Sequence, residues 1–470
     1  MKRRFFILSS AILLCLPTLA TAKEVNKLKV NETFDVKIIT DGLSSPWEML
    51  WGPDNMLWVT EREGARVVRI NPETGEKKVA ATIDGVFIDH QHNGLLGMAF
   101  APGMTAKQGQ VYLTYTYKGA NQAGKQGFWA KIIKMDYDGR TEKLRNPKTI
   151  IDGIPAANDH NAGRLVFGPD QKLYMSKGEL GHNQGHAQCL LNEAQRTPTA
   201  NEVKNSDWTA YVGKVLRLNA DGSIPSDNPR IDGVQSHIFT YGHRNPQGLV
   251  FVGKELFSVE HGPSSDDEVN RLVAGGNYGW PNVAGYLDNN SYQYENWSGA
   301  PDCNKLVGAT DTNRVKTPPQ VPVMKETDWK APSNFHEPIK TFFTVPKNYN
   351  FDDIRCKDMS YLCWATIGPS SVTYYPSNGP IKNWQNSLLV TSLKNGALYT
   401  VVLDGNKVQA QGDGGKYFHT QNRYRVARLS PDLKSVYLAT DVTGNVLDEN
   451  GIPTNKMANP GSIIKLTYHP

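Results

Sequence analysis

The chain has 470 residues, of which 39% are hydrophobic and 21% charged, and these are ordinary values for a globular protein. The formal net charge is only +5, and no dense basic run with interleaved aromatic residues occurs, so the sequence gives no support for a nucleic-acid partner. The 42 glycines, 28 prolines and 10% aromatic residues favour turns and strands over helices. We therefore predict a mainly β fold.

The amino-terminal segment has the pattern of a cleavable export signal. A basic start, Met1 to Arg4, precedes the apolar run Phe5 to Leu19, which ends in the small residues Ala20 to Ala22. We predict a signal peptide over residues 1–22 and a periplasmic or secreted mature chain. Cys15 lacks the preceding small residue of a lipoprotein site, and no later run approaches the roughly 20 apolar residues of a membrane span. No membrane anchor is expected.

Four cysteines lie beyond the predicted signal. Because their number is even and an exported chain meets oxidising conditions, a disulfide between Cys356 and Cys363 is predicted. A pairing of Cys189 with Cys303 is also considered, although no sequence pattern supports it.

One phrase recurs along the chain: an apolar strand, a Pro-Asp or equivalent turn, a second strand, a loop, and a third strand that often ends in Asn or Asp-Gly. Each copy alone would expose an apolar sheet face, which radial stacking buries. Residues 23–470 are therefore predicted to form a single all-β domain, a six-bladed β-propeller whose ring Phe34 to Ile39 could close by pairing with the last blade. Long inserts at Ala187 to Val212 and at about 280–364 are predicted to cover one face. The six copies start at Trp51, Phe100, Phe167, Gly248, Ser370 and Arg428.

The stretch Asn158 to Arg164, N-D-H-N-A-G-R, joins two strand-like segments and holds an adjacent carboxylate and imidazole. A histidine held in one tautomer by a carboxylate can act as a base near neutral pH, so Asp159 and His160 are candidates for proton transfer. The alternative is a turn-forming aspartate beside a solvated imidazole.

Loops at one end of a propeller converge on the axis, so polar clusters distant in sequence can meet there. The cations Lys394, Arg423 and Arg425 indicate a small polyanionic ligand, because an arginine side chain binds carboxylate or phosphate through two parallel hydrogen bonds. The alternative is that they are exposed cations at strand ends. The acidic segment Pro263 to Glu268 is equally consistent with a calcium site and with a solvated turn.

Several of these motifs together resemble the soluble quinoprotein glucose dehydrogenases, which are bacterial periplasmic six-bladed propellers that use pyrroloquinoline quinone (PQQ) and calcium. The resemblance runs from about Phe34 to Tyr468. It rests on W-G-P-D-N, N-G-L-L-G, D-H-N-A-G-R-L-V-F-G-P-D-Q-K, Y-V-G-K-V-L-R-L-N-A-D-G-S-I-P, G-H-R-N-P-Q-G-L, G-P-S-S-D-D-E-V-N, G-G-N-Y-G-W-P-N-V-A-G-Y and N-R-Y-R.

The resemblance implies a role for each matching residue. His160 corresponds to the general base, Asp159 to its companion, Glu179 to the acid that tunes the base, and Arg244 to the arginine near the quinone carbonyl. Contacts to the cofactor or the neighbouring sugar fall on His92, Asn245, His261, Tyr361, Trp364, Thr366, Lys394, Arg423 and Arg425.

The resemblance also implies calcium ligands. The main-chain carbonyls of Gly262 and Pro263 match ligands of the calcium that polarises the quinone. Further calcium sites, associated in the family with a homodimer, correspond to Asp267, Glu268, Tyr278, Ala284, Tyr286, Asp288 and Glu326.

The implied reaction is oxidation of glucose or another aldose at C1 to the lactone, with electrons passing to an external quinone, cytochrome or dye. Three positions depart from the best-known members: His92 and His261 replace glutamines, and Glu179 replaces an aspartate. The Glu260 to Pro263 motif also resembles the broader aldose sugar dehydrogenases, which keeps a wider sugar range open. The competing interpretations are a calcium-dependent lactonase and a non-catalytic periplasmic binding propeller.

Overall fold

The structure, a computed structural model, describes residues 33–89, 92–306, 316–357, 359–404, 407–409 and 415–470. The predicted signal peptide lies outside these residues. Within them the fold is all-β: six antiparallel sheets, five of four strands and one of five, succeed one another along the chain as the blades of a six-bladed propeller. The predicted architecture is confirmed.

The first strand in the chain, β1, does not belong to the first blade. The first three blades contain the strands that follow it, each blade running from its innermost to its outermost strand. The bounds are β1 Thr33–Thr40; first blade β2 Pro46–Trp51, β3 Leu57–Glu61, β4 Arg66–Ile70, β5 Lys77–Thr82; second blade β6 Leu95–Phe100, β7 Gln108–Ala120, β8 Gln126–Asp138, β9 Lys143–Pro155; third blade β10 Leu165–Phe167, β11 Leu173–Lys177, β12 Lys214–Leu218, β15 Ile238–Tyr241, with a hairpin β13 Arg230–Ile231 and β14 Val234–Gln235 before β15.

Among the last three blades, the fourth carries the longest insert, which lies between its third and fourth strands. Their bounds are: fourth blade β16 Pro246–Val252, β17 Glu255–Glu260, β18 Asp267–Leu272, β21 Lys340–Phe342, with β19 Tyr294–Glu295 and β20 Val323–Met324 in the insert; fifth blade β22 Pro369–Tyr375, β23 Ser387–Ser392, β24 Leu398–Asp404, β25 Lys407–Gln409, with β26 Lys416–Tyr417 on β24; sixth blade β27 Tyr424–Leu429, β28 Ser435–Thr440, β31 Ile463–His469, with a hairpin β29 Val446–Leu447 and β30 Pro453–Thr454.

The ring is closed by the amino end of the described chain. Strand β1 pairs antiparallel with β31, from Thr33 opposite His469 to Thr40 opposite Ile463, and so forms the outer strand of the sixth blade. This confirms the predicted pairing of Phe34 to Ile39 with the last blade.

The recurring Pro-Asp turn has a physical role between the first two strands of several blades. In the first blade Asp54 accepts hydrogen bonds from the Met56 amide and the Trp58 indole, at 3.3 and 3.0 Å. In the third blade Asp170 accepts in the same way from the Lys172 amide and the Tyr174 hydroxyl, at 3.1 and 2.9 Å. One carboxylate therefore closes the turn and anchors the aromatic ring of the next strand.

The core is divided among the spaces between neighbouring blades. A cluster containing Trp58, Leu113 and Tyr137 lies between the first and second blades, and corresponding clusters fill the other five spaces. Each blade thus buries both faces against its neighbours, which is why the sequence copies have a continuous apolar pattern.

The innermost strands meet at a buried ion pair near the axis. Arg164 forms an ion pair with Glu48 at 2.7 Å and donates to the carbonyls of Gln247 and Ser370 at 3.0 and 2.9 Å. These contacts connect the third blade to the first, fourth and fifth. Removing one member of a buried pair of this kind costs roughly 3–5 kcal/mol, because the other charge is left buried and unpaired.

The inserts contain loops and short helices. The predicted disulfide Cys356–Cys363 is found, and so is the pairing that the sequence left open, Cys189 with Cys303, which joins the insert after β11 to the insert of the fourth blade. Among the described residues no helix is long and apolar enough to cross a membrane. The helices of this part of the chain are α1 Ala200–Lys204, capped by Thr199 and Glu202, and 3₁₀ turns at Gly185–Ala187, Thr209–Tyr211, Trp297–Gly299, Cys303–Lys305, Glu326–Asp328, Ile354–Cys356, Ser360–Leu362 and Lys382–Trp384.

Candidate active site

A cavity of about 510 Å³ opens on one face of the propeller. This face carries the blade-to-blade connections and the loops between the second and third strands, which leave the antiparallel sheets at the same end. The cavity wall includes Asp159, His160, Arg244, Pro263 and Trp364, so the loops of the third and fourth blades and both long inserts contribute to it. The loops predicted to carry chemistry therefore do converge.

His160 is held by a carboxylate from the next loop of its own blade. Its Nδ1 lies 2.9 Å from Glu179 Oε1, and both side chains are almost fully buried. Glu179 Oε2 in turn accepts the backbone amides of Gly181 and His182. The approach requires Gly178, because a Cβ there would lie 2.1 Å from the His160 carbonyl oxygen. With Nδ1 committed to Glu179, Nε2 is the ring nitrogen that remains to accept a proton.

Two further groups complete what we call the histidine cluster: His92, Asp159, His160 and Glu179. Asp159 Oδ1 lies 3.5 Å from His160 Nε2 and 3.3 Å from His92 Nε2. Burial alone would raise the pKa of Asp159, but the charges of His160, His92 and Arg244 outweigh it and hold this pKa well below its usual range. Asp159 is therefore a carboxylate that favours positive charge on the base.

Gln184 connects the histidine cluster to Arg244. Its Nε2 donates to Glu179 Oε1 at 3.0 Å, and its Oε1 accepts from Arg244 Nη2 at 2.9 Å. Sequence reasoning missed this residue, since a glutamine within an irregular insert gives no signal of its own. It does lie five residues after the predicted Glu179.

The backbone of Arg244 is held by a buried hydrogen-bond network that the sequence did not reveal. Its backbone amide donates to Glu260 Oε2 at 2.9 Å, and Glu260 Oε1 lies 2.8 Å from His243 Nδ1. Asn270 donates to both Glu260 and Glu268. Both His243 and Glu260 lie within motifs that the sequence analysis singled out, but their pairing depends on β16 and β17 lying side by side.

Four buried donors at or near the cavity have no hydrogen-bond acceptor among the described residues: Arg244 Nε, Asn245 Nδ2 and Trp364 Nε1 in the connections between blades, and Trp280 Nε1 in the insert of the fourth blade. Leaving such a donor unpaired costs about 1–3 kcal/mol, so these groups are expected to have an acceptor when the site is in use. A flat, acceptor-rich molecule with carbonyl and carboxylate oxygens, as PQQ is, fits this donor set.

Lys394, Arg423, Arg425 and the carboxylate Asp441 form what we call the cation cluster. Arg425 makes two hydrogen bonds of 2.8 Å to Asp441, and Arg423 makes one of 3.1 Å. Two guanidinium groups thus share one carboxylate. Burial alone would raise the pKa of Asp441, but the charges of Arg425 and Arg423 outweigh burial and lower this pKa. The two predicted arginines do come together at Asp441, which lies at the end of a recognised strand and was missed, whereas the Lys394 ammonium contacts the loop before the fifth blade.

The cation cluster is tied to the cavity wall by the loop between the fourth and fifth blades. Lys394 Nζ donates to the Trp364 carbonyl and the Thr366 hydroxyl at 2.9 and 2.8 Å. Asn445 donates to the Tyr361 hydroxyl at 2.8 Å, and its carbonyl accepts from Arg423 at the same distance. The Cys356–Cys363 disulfide closes this loop, as predicted. Burial lowers the pKa of Lys394, partly opposed by Asp267.

His261 directly follows β17 and contacts the first strand of the fifth blade. Its Nε2 is 2.9 Å from the Pro369 carbonyl, and its own carbonyl accepts from Arg244 Nη1 at 3.4 Å. Burial, followed by the charge of Arg244, lowers its pKa well below the usual range. A neutral imidazole here supports the Gly262–Pro263 turn.

The turn at Gly262 and Pro263 is fixed by Asp267, which spans two blades. Asp267 accepts from the Gly262 amide at 2.8 Å and from the Ile367 and Gly368 amides at 2.6 and 2.8 Å. Pro263 reaches the cavity wall. Main-chain oxygens in such a turn are of the hard type that calcium prefers, so the turn fits the expected ion.

The other candidate calcium ligands lie together in the fourth blade and its insert, but many of their polar atoms have protein partners. Glu268 accepts a hydrogen bond from the Gly285 amide, and Glu326 accepts hydrogen bonds from the amides of Ala284 and Asn289, at 2.8 to 3.0 Å. Burial raises the pKa of Glu326 to about 7. Tyr278 donates to a carbonyl of its own blade, Asp288 accepts from Asn290, and Tyr286 lies in the same insert. The described chain has no group of three or more His, Cys, Asp or Glu side chains arranged for a metal.

Comparison with known proteins agrees with this site. A family model described as Glucose / Sorbosone dehydrogenase matches residues 43–305. The chain belongs to the glucose/sorbosone dehydrogenase family. The chain is 45% identical over 442 residues to the quinoprotein glucose dehydrogenase B of Acinetobacter calcoaceticus, covering 93% of this chain and 92% of that protein. The resemblance predicted from the sequence motifs is confirmed.

Two further matches are more distant. Aldose sugar dehydrogenase YliI of Escherichia coli is 31% identical over 258 residues, which is 53% of this chain and 62% of that protein. The PQQ-bound aldose sugar dehydrogenase of Streptomyces coelicolor superposes with a TM-score of 0.60 over 93% of this chain and 99% of that one, at 24% identity. At that identity the likeness concerns the fold alone.

Proposed function

We propose that this family member oxidises glucose or another aldose at C1 to the lactone, with PQQ and calcium as cofactors and an external electron acceptor. The observation that carries the proposal is the set of three unpartnered buried donors in the connections between blades, Arg244 Nε, Asn245 Nδ2 and Trp364 Nε1, beside a histidine already committed to a carboxylate. Bound PQQ supplies a hydride acceptor, and calcium at the Gly262–Pro263 turn polarises it.

The residues of the chain supply the remaining chemistry. His160 Nε2 takes the proton of the C1 hydroxyl, since Nδ1 is occupied by Glu179. Asp159 stabilises the resulting imidazolium, and Arg244 stabilises the negative charge that develops on oxygen. Lys394, Arg423 and Arg425 would hold the cofactor carboxylates, because their two guanidinium groups have only one carboxylate between them.

The disulfides Cys189–Cys303 and Cys356–Cys363 support an oxidising compartment, and with it the predicted periplasmic or secreted location.

The test is reconstitution. Protein freed of metal and cofactor by chelation and dialysis is mixed with PQQ, calcium, both or neither, and glucose-dependent reduction of a redox dye is followed. We expect turnover only with both, and no replacement of PQQ by NAD. Binding is measured independently by the change in PQQ absorbance or fluorescence. Full activity in the chelated, quinone-free protein would contradict the proposal, and lactone hydrolysis without an electron acceptor would favour the lactonase instead.

A further inference from the structure

Oxidation of an aldose to its lactone breaks the C1–H and O–H bonds and releases two electrons and two protons. When the external acceptor takes electrons only, both protons must leave the site in every turnover. His160 is 6% exposed and cannot pass its proton directly to bulk water at a useful rate. The proposed function therefore requires a proton exit, and the inference below rests on that function.

Three titratable side chains, His160, Asp159 and His92, form a row that leads toward the surface, and we call this row the file. Asp159 Oδ1 is 3.5 Å from His160 Nε2, and the same oxygen is 3.3 Å from His92 Nε2. The side chains become more accessible along the file, at 8% for His160, 28% for Asp159 and 34% for His92. One carboxylate oxygen thus faces both imidazoles, and the outer imidazole is the one that meets solvent.

His92 is held at the end of this file by the loop that carries the base. The Asn161 amide donates to the His92 carbonyl at 2.8 Å, and the buried Lys177 ammonium donates to Asn161 Oδ1 at 3.0 Å. His160 and His92 are therefore fixed relative to each other through the residue next to His160. Neither Lys177 nor Asn161 has another evident role in the proposed chemistry.

The surroundings of His92 favour release of a proton over its retention. Burial lowers the pKa of His92 to about 4, Asp159 opposes the shift, and the positive charges of His160, Arg425 and Arg62 add to it. A group with this pKa accepts a proton only briefly at neutral pH and passes it quickly to water or buffer.

We propose that His92 is the proton exit of the active site. After the hydroxyl proton has moved to His160 Nε2, Asp159 Oδ1 passes it to His92 Nε2, and His92 loses a proton from the partly exposed side of its ring to the solvent. No electrons move in this step; bound PQQ would accept the hydride, whose two electrons would go to the external acceptor and whose proton would go to the solvent.

The test uses the full mature enzyme loaded with PQQ and calcium, an electron-only acceptor such as ferricyanide, and weakly buffered solution. His92→Gln should lower kcat by on the order of 10-fold, measured at saturating sugar and saturating PQQ so that any change in binding does not enter. Added imidazole should restore kcat in a concentration-dependent way, because a mobile base replaces the missing relay. His469→Gln is the control: it removes an imidazole that is paired with Asp35 on the surface of the sixth blade.

A second measurement does not depend on turnover. In the cofactor-free protein, Asp159→Asn should shift the imidazole ¹⁵N resonances of both His92 and His160, since one oxygen faces both rings. A shift confined to His160, a wild-type kcat for His92→Gln in weak buffer, or a loss that imidazole does not restore would each overturn the proton exit. Absence of PQQ-dependent turnover in the wild-type enzyme would overturn the proposed function and the exit together.

Discussion

The histidine cluster and the cation cluster lie in the same site but differ in how complete they are. In the histidine cluster Glu179 is saturated by the His160 ring, Gln184 and two backbone amides, so the base is oriented by the protein alone. In the cation cluster Arg423 and Arg425 share the single carboxylate Asp441. The histidine cluster can therefore accept and release protons without a bound ligand. The cation cluster keeps an excess of positive charge, which favours an anionic ligand.

The comparison predicts that substitutions in the histidine cluster change turnover, and that substitutions in the cation cluster change cofactor affinity. His160→Ala is the sharpest case. It removes the proton acceptor, so kcat should fall by about 10²–10⁴-fold, with PQQ affinity nearly unchanged. Steady-state assays at saturating PQQ and calcium, scanned over pH, measure the first quantity and PQQ titration the second. Wild-type turnover in this variant would remove His160 from the mechanism and direct attention to His92 or His261.

Arg244 is joined to the histidine cluster through Gln184 and should behave as part of it. Arg244→Ala should lower kcat by about 10²–10³-fold, because charge stabilisation at the reacting oxygen is lost. Unlike His160→Ala, it should leave the shape of the pH–rate profile intact, since the proton acceptor is still present. Arg244→Lys keeps the charge without the fork of donors and should recover part of the loss. A changed pH profile with unchanged kcat would contradict this assignment.

Arg425→Ala tests the cation cluster. Loss of its hydrogen bonds to a charged group, worth about 1.5–3 kcal/mol, should raise the Kd for PQQ by about 10–100-fold while kcat at saturating PQQ stays close to wild type. The matched control is Arg355→Ala, which removes an exposed guanidinium that forms an ion pair with Asp353. If kcat fell and Kd did not, the division between the clusters would be wrong.

The smallest effect is expected for Glu179→Asp. Aspartate keeps the charge but is one methylene shorter, so its oxygen draws back from His160 Nδ1, which now lies 2.9 Å from the glutamate. We expect kcat to change by less than about 10-fold and the pH profile to shift slightly. A loss as large as that of His160→Ala would mean that Glu179 does more than orient the ring.

The blades could be predicted from the sequence because each one is encoded locally. The turn at Asp54 or Asp170 lies within a few residues of the strands and rings that it joins, so the repeated phrase carries the whole unit. The pairing of β1 with β31 could also be expected, since an apolar strand before the first copy needs a partner.

The site was only partly predictable, for the same physical reason. Gln184 acts through Arg244 on another loop, and Asp441 acts through Arg425 on the neighbouring strand of its own blade, so neither role follows from the residue's own segment alone. Glu268 and Glu326 were expected as calcium ligands from the resemblance, and the sequence did not reveal that both accept hydrogen bonds from backbone amides of the insert.

The closure of the ring by β1 has a consequence for the order of assembly. Thr33 must wait for His469, which lies far later in the chain, so the sixth blade cannot be complete until β31 has been synthesised. Until then the hydrogen-bonding edge of β1 is open, and the loop to be closed spans nearly the whole chain, which makes this contact entropically the most expensive in the fold. A nascent chain that lacks Ile463–His469 would therefore be an open arc with two exposed edges, prone to pairing with a second chain.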